Sequence, residues 1–183
     1  MDRLLSNHDI EHALGGQCLV LAYHDLDKYG DDIMGLLDRA HGRLIVLYEE
    51  EPGLGHWISI VRGEGSQRGR ILYTDPYGKP IDYPLERLSH GYRLSSGQAD
   101  PKMSHLLGGA PAPIQIWYNE LPLQGENSAT CGRWAILRCM MPHLSEDRFY
   151  GLFQAPGVTP DELAVLATEP LLPPATAATP RLA

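Results

Sequence analysis

The chain has 183 residues, 43% of them hydrophobic, with 15 Lys and Arg against 23 Asp and Glu and a formal net charge of -8. That length supports one sizeable core and one globular domain, and an acidic chain without any Lys/Arg-rich run argues against nucleic acid as a main partner. No stretch of about 18 apolar residues occurs, and the N-terminal MDRLLSNHDIEHAL carries charges where a secretory signal needs an apolar run. An intracellular protein, neither secreted nor in a membrane, is expected.

In chain order, Ser6 followed by Asp9 forms a capping-box pattern, so SNHDIEHAL is predicted as a short helix stopping at Gly15-Gly16. QCLVLAY (17–23) fits either a buried strand or a helical segment, and periodicity does not separate the two. DDIMGLLDR (31–39) places acids first and Arg last, as a helix dipole prefers. RLIVLYEE (43–50), HWISIVR (56–62) and RILYTD (70–75) are three β-rich runs, the last two joined by a hairpin loop GEGSQRG (63–69). DYPLERL (82–88) suggests a short helix or turn, and 89–112 an irregular region. PIQIWYNE (113–120) predicts a further strand, and the polar loop LQGENSAT (123–130) leads into a core helix, CGRWAILRCMM (131–141), ended by Pro142. SEDRFYGLF (145–153) and TPDELAVLAT (159–168) are predicted helical, the second with Thr159 and Glu162 as a capping box. The expected organisation is a single α+β domain over 1–168, with a mixed, mostly antiparallel sheet packed against the 131–141 helix, and a flexible Pro/Ala/Thr-rich tail over 169–183. Trp57, Trp117 and Trp134 are expected in the core, although Trp57 is also a candidate to line the site and touch substrate.

The three cysteines, Cys18, Cys131 and Cys139, are odd in number and lack CxxC spacing, which disfavours a disulfide framework and a zinc site. Cys131 stands at a helix N-terminus, where the dipole and free backbone N–H groups favour a thiolate, and Gly132 lets a substrate approach the backbone closely. His56 opens one strand and Asp75 closes the next, so neighbouring strands would bring them side by side, Asp75 orienting the imidazole. Asp75 also fits as a turn former before Pro76 and Gly78. Gln124 can fold back to offer its amide beside the Cys131 N–H as a two-donor oxyanion hole. Cys139 is expected in the core. Cys18 is a rival nucleophile, since the order Cys18, His56, Asp75 echoes papain-like enzymes; its glutamine, however, is adjacent, and CLVLAYHD lacks small residues.

GHWISIV, YTDPYG and Q-GENSAT-CG, in that order, resemble the adenovirus-type maturation proteases and the related SUMO/Ulp-type cysteine proteases. The separations are 19 residues from His56 to Asp75, 56 from there to Cys131, and 7 from Gln124 to Cys131. The resemblance spans roughly residues 43–141. It implies a cysteine endopeptidase with Cys131 as nucleophile, His56 as general base and acid, Asp75 as its orienter and Gln124 as oxyanion donor, with Trp57 packed beside the imidazole. It implies no metal or cofactor, a protein substrate (a viral precursor or a modifier conjugate), and a place in the infected-cell cytoplasm or virion. Capsid or polyprotein maturation with Gly-Gly-type specificity is the first expectation. A Ulp-like isopeptidase and a silent binding domain of the same fold are the alternatives. Adenoviral enzymes are basic and respond to DNA and a peptide, but this acidic chain offers no support for either activator. LLGGA (106–110) matches the Gly-Gly preference, and self-cleavage after Gly109 is set against a plain flexible loop.

Overall fold

The computed structural model describes residues 3–174. Five strands form one mixed sheet in the order β1 (Leu19–Ala22), β2 (Arg43–Glu51), β3 (Leu54–Arg62), β4 (Arg70–Thr74) and β5 (Gln115–Tyr118). The two inner pairs, β2 with β3 and β3 with β4, are antiparallel; the outer pairs are parallel. Both faces of the central strands are covered, which is why LIVLY and WISIV read as continuous apolar runs instead of alternating with polar residues. Period two still sorts the side chains. Leu44, Val46, Tyr48, Ile58, Ile60, Ile71 and Tyr73 face one layer, and Ile45, Leu47, Trp57, Val61 and Leu72 face the other.

The second layer is built on α5 (Cys131–Met140), which packs chiefly on β3, with α1 (Asn7–Ala13) beside it. The capping box of Ser6 and Asp9 starts α1 as expected. The first layer holds α2 (Ile33–Arg39), a 3₁₀ turn over Tyr83–Arg87, and two helices within the stretch expected to be irregular. That expectation is corrected: α3 (His90–Ser95) is capped by Ser89, and α4 (Lys102–Gly108) buries Met103, Leu106 and Leu107 on one face. Both are too short for a helical period to emerge from the sequence. LLGGA is therefore only in part a loop: Leu106 and Leu107 belong to the core, Gly108 ends α4 and Gly109 caps it, with both glycines exposed.

Two further helices, α6 (Glu146–Gly151) and α7 (Pro160–Thr168), enclose a third cluster around Trp134, Phe149 and Phe153. The expected tail at 169 starts too early. Glu169–Leu171 makes a 3₁₀ turn, Leu171 and Leu172 pack against the α5 layer, and Glu169 pairs with the buried Arg133 at 2.7 Å. The rest of the predicted tail, 175–183, lies outside the described residues. Trp117 is also corrected: it is 43% exposed on edge strand β5, under the Arg70 guanidinium at 4.2 Å.

Asp82 ties the first layer together. Its carboxylate accepts from the Tyr23 hydroxyl at 2.7 Å, the Tyr48 hydroxyl at 3.0 Å and the Ser104 backbone N–H at 2.7 Å. Asp82→Ala would orphan the Tyr48 hydroxyl and the Ser104 N–H, each costing about 1–3 kcal/mol when unpaired, and would leave the Tyr23 hydroxyl only the Asp100 carbonyl at 3.0 Å. Urea unfolding is expected to show a loss of about 3–5 kcal/mol, allowing for partial relaxation. A loss under about 1 kcal/mol would show that water replaces the carboxylate at no cost.

Candidate active site

His56 is the third residue of β3, and Asp75 follows the last residue of β4. Because these strands are antiparallel, with Ser59 opposite Thr74, the start of one and the end of the other meet at a single rim of the sheet. There His56 Nε2 and Asp75 Oδ1 are 2.9 Å apart, with both side chains almost wholly buried. The same oxygen accepts the Tyr77 backbone N–H at 2.8 Å, so the turn holds the carboxylate while the carboxylate holds the ring. Asp75 Oδ2 is buried without a partner.

Cys131 begins α5 beneath this rim and is 6% exposed. Burial by itself would drive protons off the His56 ring. The Asp75 hydrogen bond, the nearby Cys131 thiol and the negative charge of both outweigh it and raise the imidazole from 6.5 to about 9. The balance favours the protonated imidazole, with the Asp75 carboxylate at 2.9 Å and the Cys131 thiol nearby. The other cysteines lack this company. Burial, with Glu11, raises the half-buried Cys18 thiol to about 11, and burial pushes the enclosed Cys139 thiol far upward. Cys18 packs against the α5 layer, and the charged groups that act on its thiol are Glu11 and Arg43, not His56, so the papain-like order gains no geometric support.

The Gln124 loop is held to the same turn. The Leu123 and Gln124 N–H groups both donate to the Pro76 carbonyl, at 2.8 and 2.9 Å. Gly78, with φ +65°, lets the turn lie against the backbone of Glu120–Pro122, where a Cβ would come within 2.8 Å of Leu121. Gln124 Nε2 donates to the Tyr77 hydroxyl at 3.2 Å and to the Ser128 carbonyl, while its Oε1 is buried and unpartnered. The structure thus brings Gln124 to the His56 neighbourhood through Tyr77, with its amide hydrogens engaged.

Two residues at this rim escaped the sequence reading. Tyr77 stacks on His56, with ring centroids 4.9 Å apart, and burial followed by the charge of Cys131 raises its hydroxyl pKa. The β3–β4 register, continued past the end of the ladder, puts Tyr77 opposite His56, a signal available once that hairpin is accepted. Asn119, just past β5, grips the backbone of Asp75 from both sides: its Oδ1 accepts the Asp75 N–H at 2.9 Å and its Nδ2 donates to the Asp75 carbonyl at 2.7 Å. Nothing local in WYNE marks that role.

Trp57 and Gly132, expected to touch substrate, lie below the site instead. Trp57 points to the α5 face of the sheet, is 4% exposed, and donates its indole N–H to the Leu5 carbonyl at 3.2 Å. A Cβ on Gly132 would lie 3.3 Å from Trp57 Cδ1 and 3.2 Å from Leu5 Cβ. Glycine at 132 therefore serves the close seating of α5 on β3, not the approach of a substrate.

A cleft of about 280 Å³ opens beside the imidazole, lined by His56, Asp75, Tyr77, Lys79, Arg87 and Glu126 among others. Four larger clefts contain none of the four candidate residues. No group of three or more His, Cys, Asp or Glu side chains among the described residues is arranged to hold a metal ion, and no helix there is long and apolar enough to cross a membrane.

No protein-family model matches the chain. It is 32% identical over 172 residues to the uncharacterised protein V9 of the Sputnik virophage, covering 90% of this chain and 93% of that one. Among solved structures, two crystal structures of the ASFV pS273R protease, one of them in selenomethionine form, match 90% of this chain at 14% identity, with TM-scores of 0.51 and 0.50. The chain spans 66% of the length of that protease. The α+β fold with its five-stranded mixed sheet is the fold of this viral protease.

Proposed function

We propose that this chain, which belongs to the family of the Sputnik virophage protein V9, is a cysteine endopeptidase that acts through Cys131, His56 and Asp75. The observation that carries the reading is the buried His56–Asp75 pair at 2.9 Å beside a cysteine that begins the central helix. A cationic imidazole next to a thiol is the setting in which thiolate nucleophiles are used.

In the proposed reaction the Cys131 sulfur attacks the carbonyl carbon of the scissile bond. The oxyanion is received at the start of α5 by the Cys131 N–H and the Gln124 amide, once Gln124 gives up one of its present acceptors. His56 then delivers its proton to the leaving amine, which departs and leaves a thioester on Cys131. The neutral imidazole next takes a proton from water, hydroxide adds to the thioester, and the thiolate and imidazolium return. Asp75 keeps Nε2 occupied throughout, directing Nδ1 toward the sulfur.

A viral precursor cut after Gly-Gly is the preferred substrate, supported by the viral source of the relative and by the motif resemblance. A Ulp-like isopeptidase would use the same residues, and a Gly-Gly peptide tested beside a modifier conjugate separates the two. The test of the site itself needs no substrate: iodoacetamide alkylation across pH 5–9, mapped by peptide mass spectrometry. Cys131 is expected to react much faster than Cys18 and Cys139 at neutral pH, and His56→Ala to slow it about tenfold or more. Three equally inert thiols would favour a silent binding domain of this fold.

A further inference from the structure

The geometry points to Asp161, on α7 and outside every motif above, as a positioning residue for the loop that carries Gln124, an inference that rests on the protease reading. Three donors from the nucleophile side of the molecule converge on its carboxylate. Oδ2 accepts the Gly125 backbone N–H at 2.8 Å, and Oδ1 accepts the Thr130 hydroxyl at 2.5 Å and the Trp134 indole N–H at 3.0 Å. Gly125 immediately follows Gln124, Thr130 immediately precedes Cys131, and Trp134 lies one turn into α5. One carboxylate thereby fixes the exit of Gln124, the entry to Cys131 and the first turn of α5.

Separate features favour this arrangement over incidental packing. A Cβ on Gly125 would lie 3.2 Å from Asp161 Oδ2, so the loop backbone is seated directly on the carboxylate. Thr130 makes no capping hydrogen bond from its side chain; its hydroxyl goes to Asp161 and Ser128 instead. At the far end of α7, Arg133 binds the Thr168 hydroxyl at 2.8 Å and the Glu169 carboxylate at 2.7 Å, so α7 is tied to α5 at both ends. Asp161 is then a rigid reference point against which the spacing of Gln124 and the Cys131 N–H is set. In Asp161→Asn one acceptor becomes an NH₂ donor, and either Gly125 or the Thr130–Trp134 pair then faces a donor.

The test separates oxyanion placement from nucleophile reactivity. p-Nitrophenyl acetate acylates a thiolate through a tetrahedral oxyanion: the sulfur bonds to the carbonyl carbon, the aryl C–O bond breaks, p-nitrophenolate leaves and a thioester remains. Iodoacetamide alkylates the same sulfur by displacing iodide at a saturated carbon, with no oxyanion. For Asp161→Asn, single-turnover acylation at Cys131 is expected to fall about tenfold or more, with alkylation within about twofold of wild type and the thermal melt retained. Both rates falling together, or neither falling, would overturn the assignment. Should Asp161→Asn not fold, Thr130→Val, which removes one of the three donors at nearly constant shape, is expected to show the same split in smaller degree, and an unsplit response there overturns it equally. A wild-type Cys131 no more reactive than Cys18 or Cys139 toward either reagent would instead sink the protease reading on which the assignment rests.

Discussion

Cys131→Ala is expected to abolish peptide cleavage while leaving the fold in place. A fluorogenic peptide ending in Leu-Leu-Gly-Gly provides the assay, and the loss in kcat is expected at about 10⁴-fold or more, the scale on which removal of a nucleophile acts in triad enzymes. The structural cost is small by comparison. The side chain is a short thiol at the edge of the α5 layer, and trimming its sulfur removes little more than one methylene-sized group, about 1 kcal/mol. Residual activity above a few per cent, with no contaminating protease, would reassign the nucleophile. Cys18→Ala and Cys139→Ala are the internal comparison, since neither thiol sits beside a cationic imidazole.

Asp75→Asn is expected to cost about 10²–10⁴-fold in kcat with KM little changed, because the substituted side chain orients the imidazole without stabilising its charge. An Asn oxygen can still accept from His56 Nε2 and the Tyr77 N–H, but its amide would stand where Oδ2 is now buried and unpartnered. The sharper signature is in pH. The folded-state pKa of His56 is raised, from 6.5 to about 9, so its favourable contribution to stability is complete below 6.5 and is lost as pH rises through 9. Asp75→Asn removes the main source of that rise. Wild-type alkylation of Cys131 should therefore change character near pH 9, with the variant changing at distinctly lower pH. Urea unfolding at pH 6 and pH 9.5 should differ more for wild type than for the variant. Matching pH profiles would mean that Asp75 is a turn former alone.

The central sheet was legible because its strands are buried on both faces, and apolar runs such as LIVLY and WISIV need no partner to be recognised as strands. The β3–β4 hairpin made the meeting of His56 and Asp75 foreseeable. Legibility failed where a residue's task is set by a distant element. Asn119 is defined by the backbone of Asp75, Tyr77 by a ring across the strand pair, and Asp161 by a loop 36 residues away. Locally, Asp161 is only an acid in the first turn of a capped helix. Trp57 and Gly132 were misplaced as substrate contacts for a related reason: next to His56 in a strand, Trp57 faces the opposite side of the sheet, and next to Cys131 in a helix, Gly132 lies about 100° around the axis, against Trp57 and Leu5. Helices α3 and α4 went unseen because six or seven residues carry less than two turns of pattern.

Leu106 and Leu107 sit in the core while Gly108 and Gly109 are exposed at the end of α4, which bears on how a protease of the proposed specificity would survive its own company. Under the proposed Gly-Gly specificity every molecule would carry one copy of the preferred sequence, held by its leucines in a helix. With Leu106 and Leu107 in the core, that copy becomes a substrate only in the fraction of time α4 is open. Any self-nicking of the proposed enzyme would then gauge the local opening equilibrium of one helix, and mutations that loosen α4 are expected to raise it without touching the proposed catalytic residues.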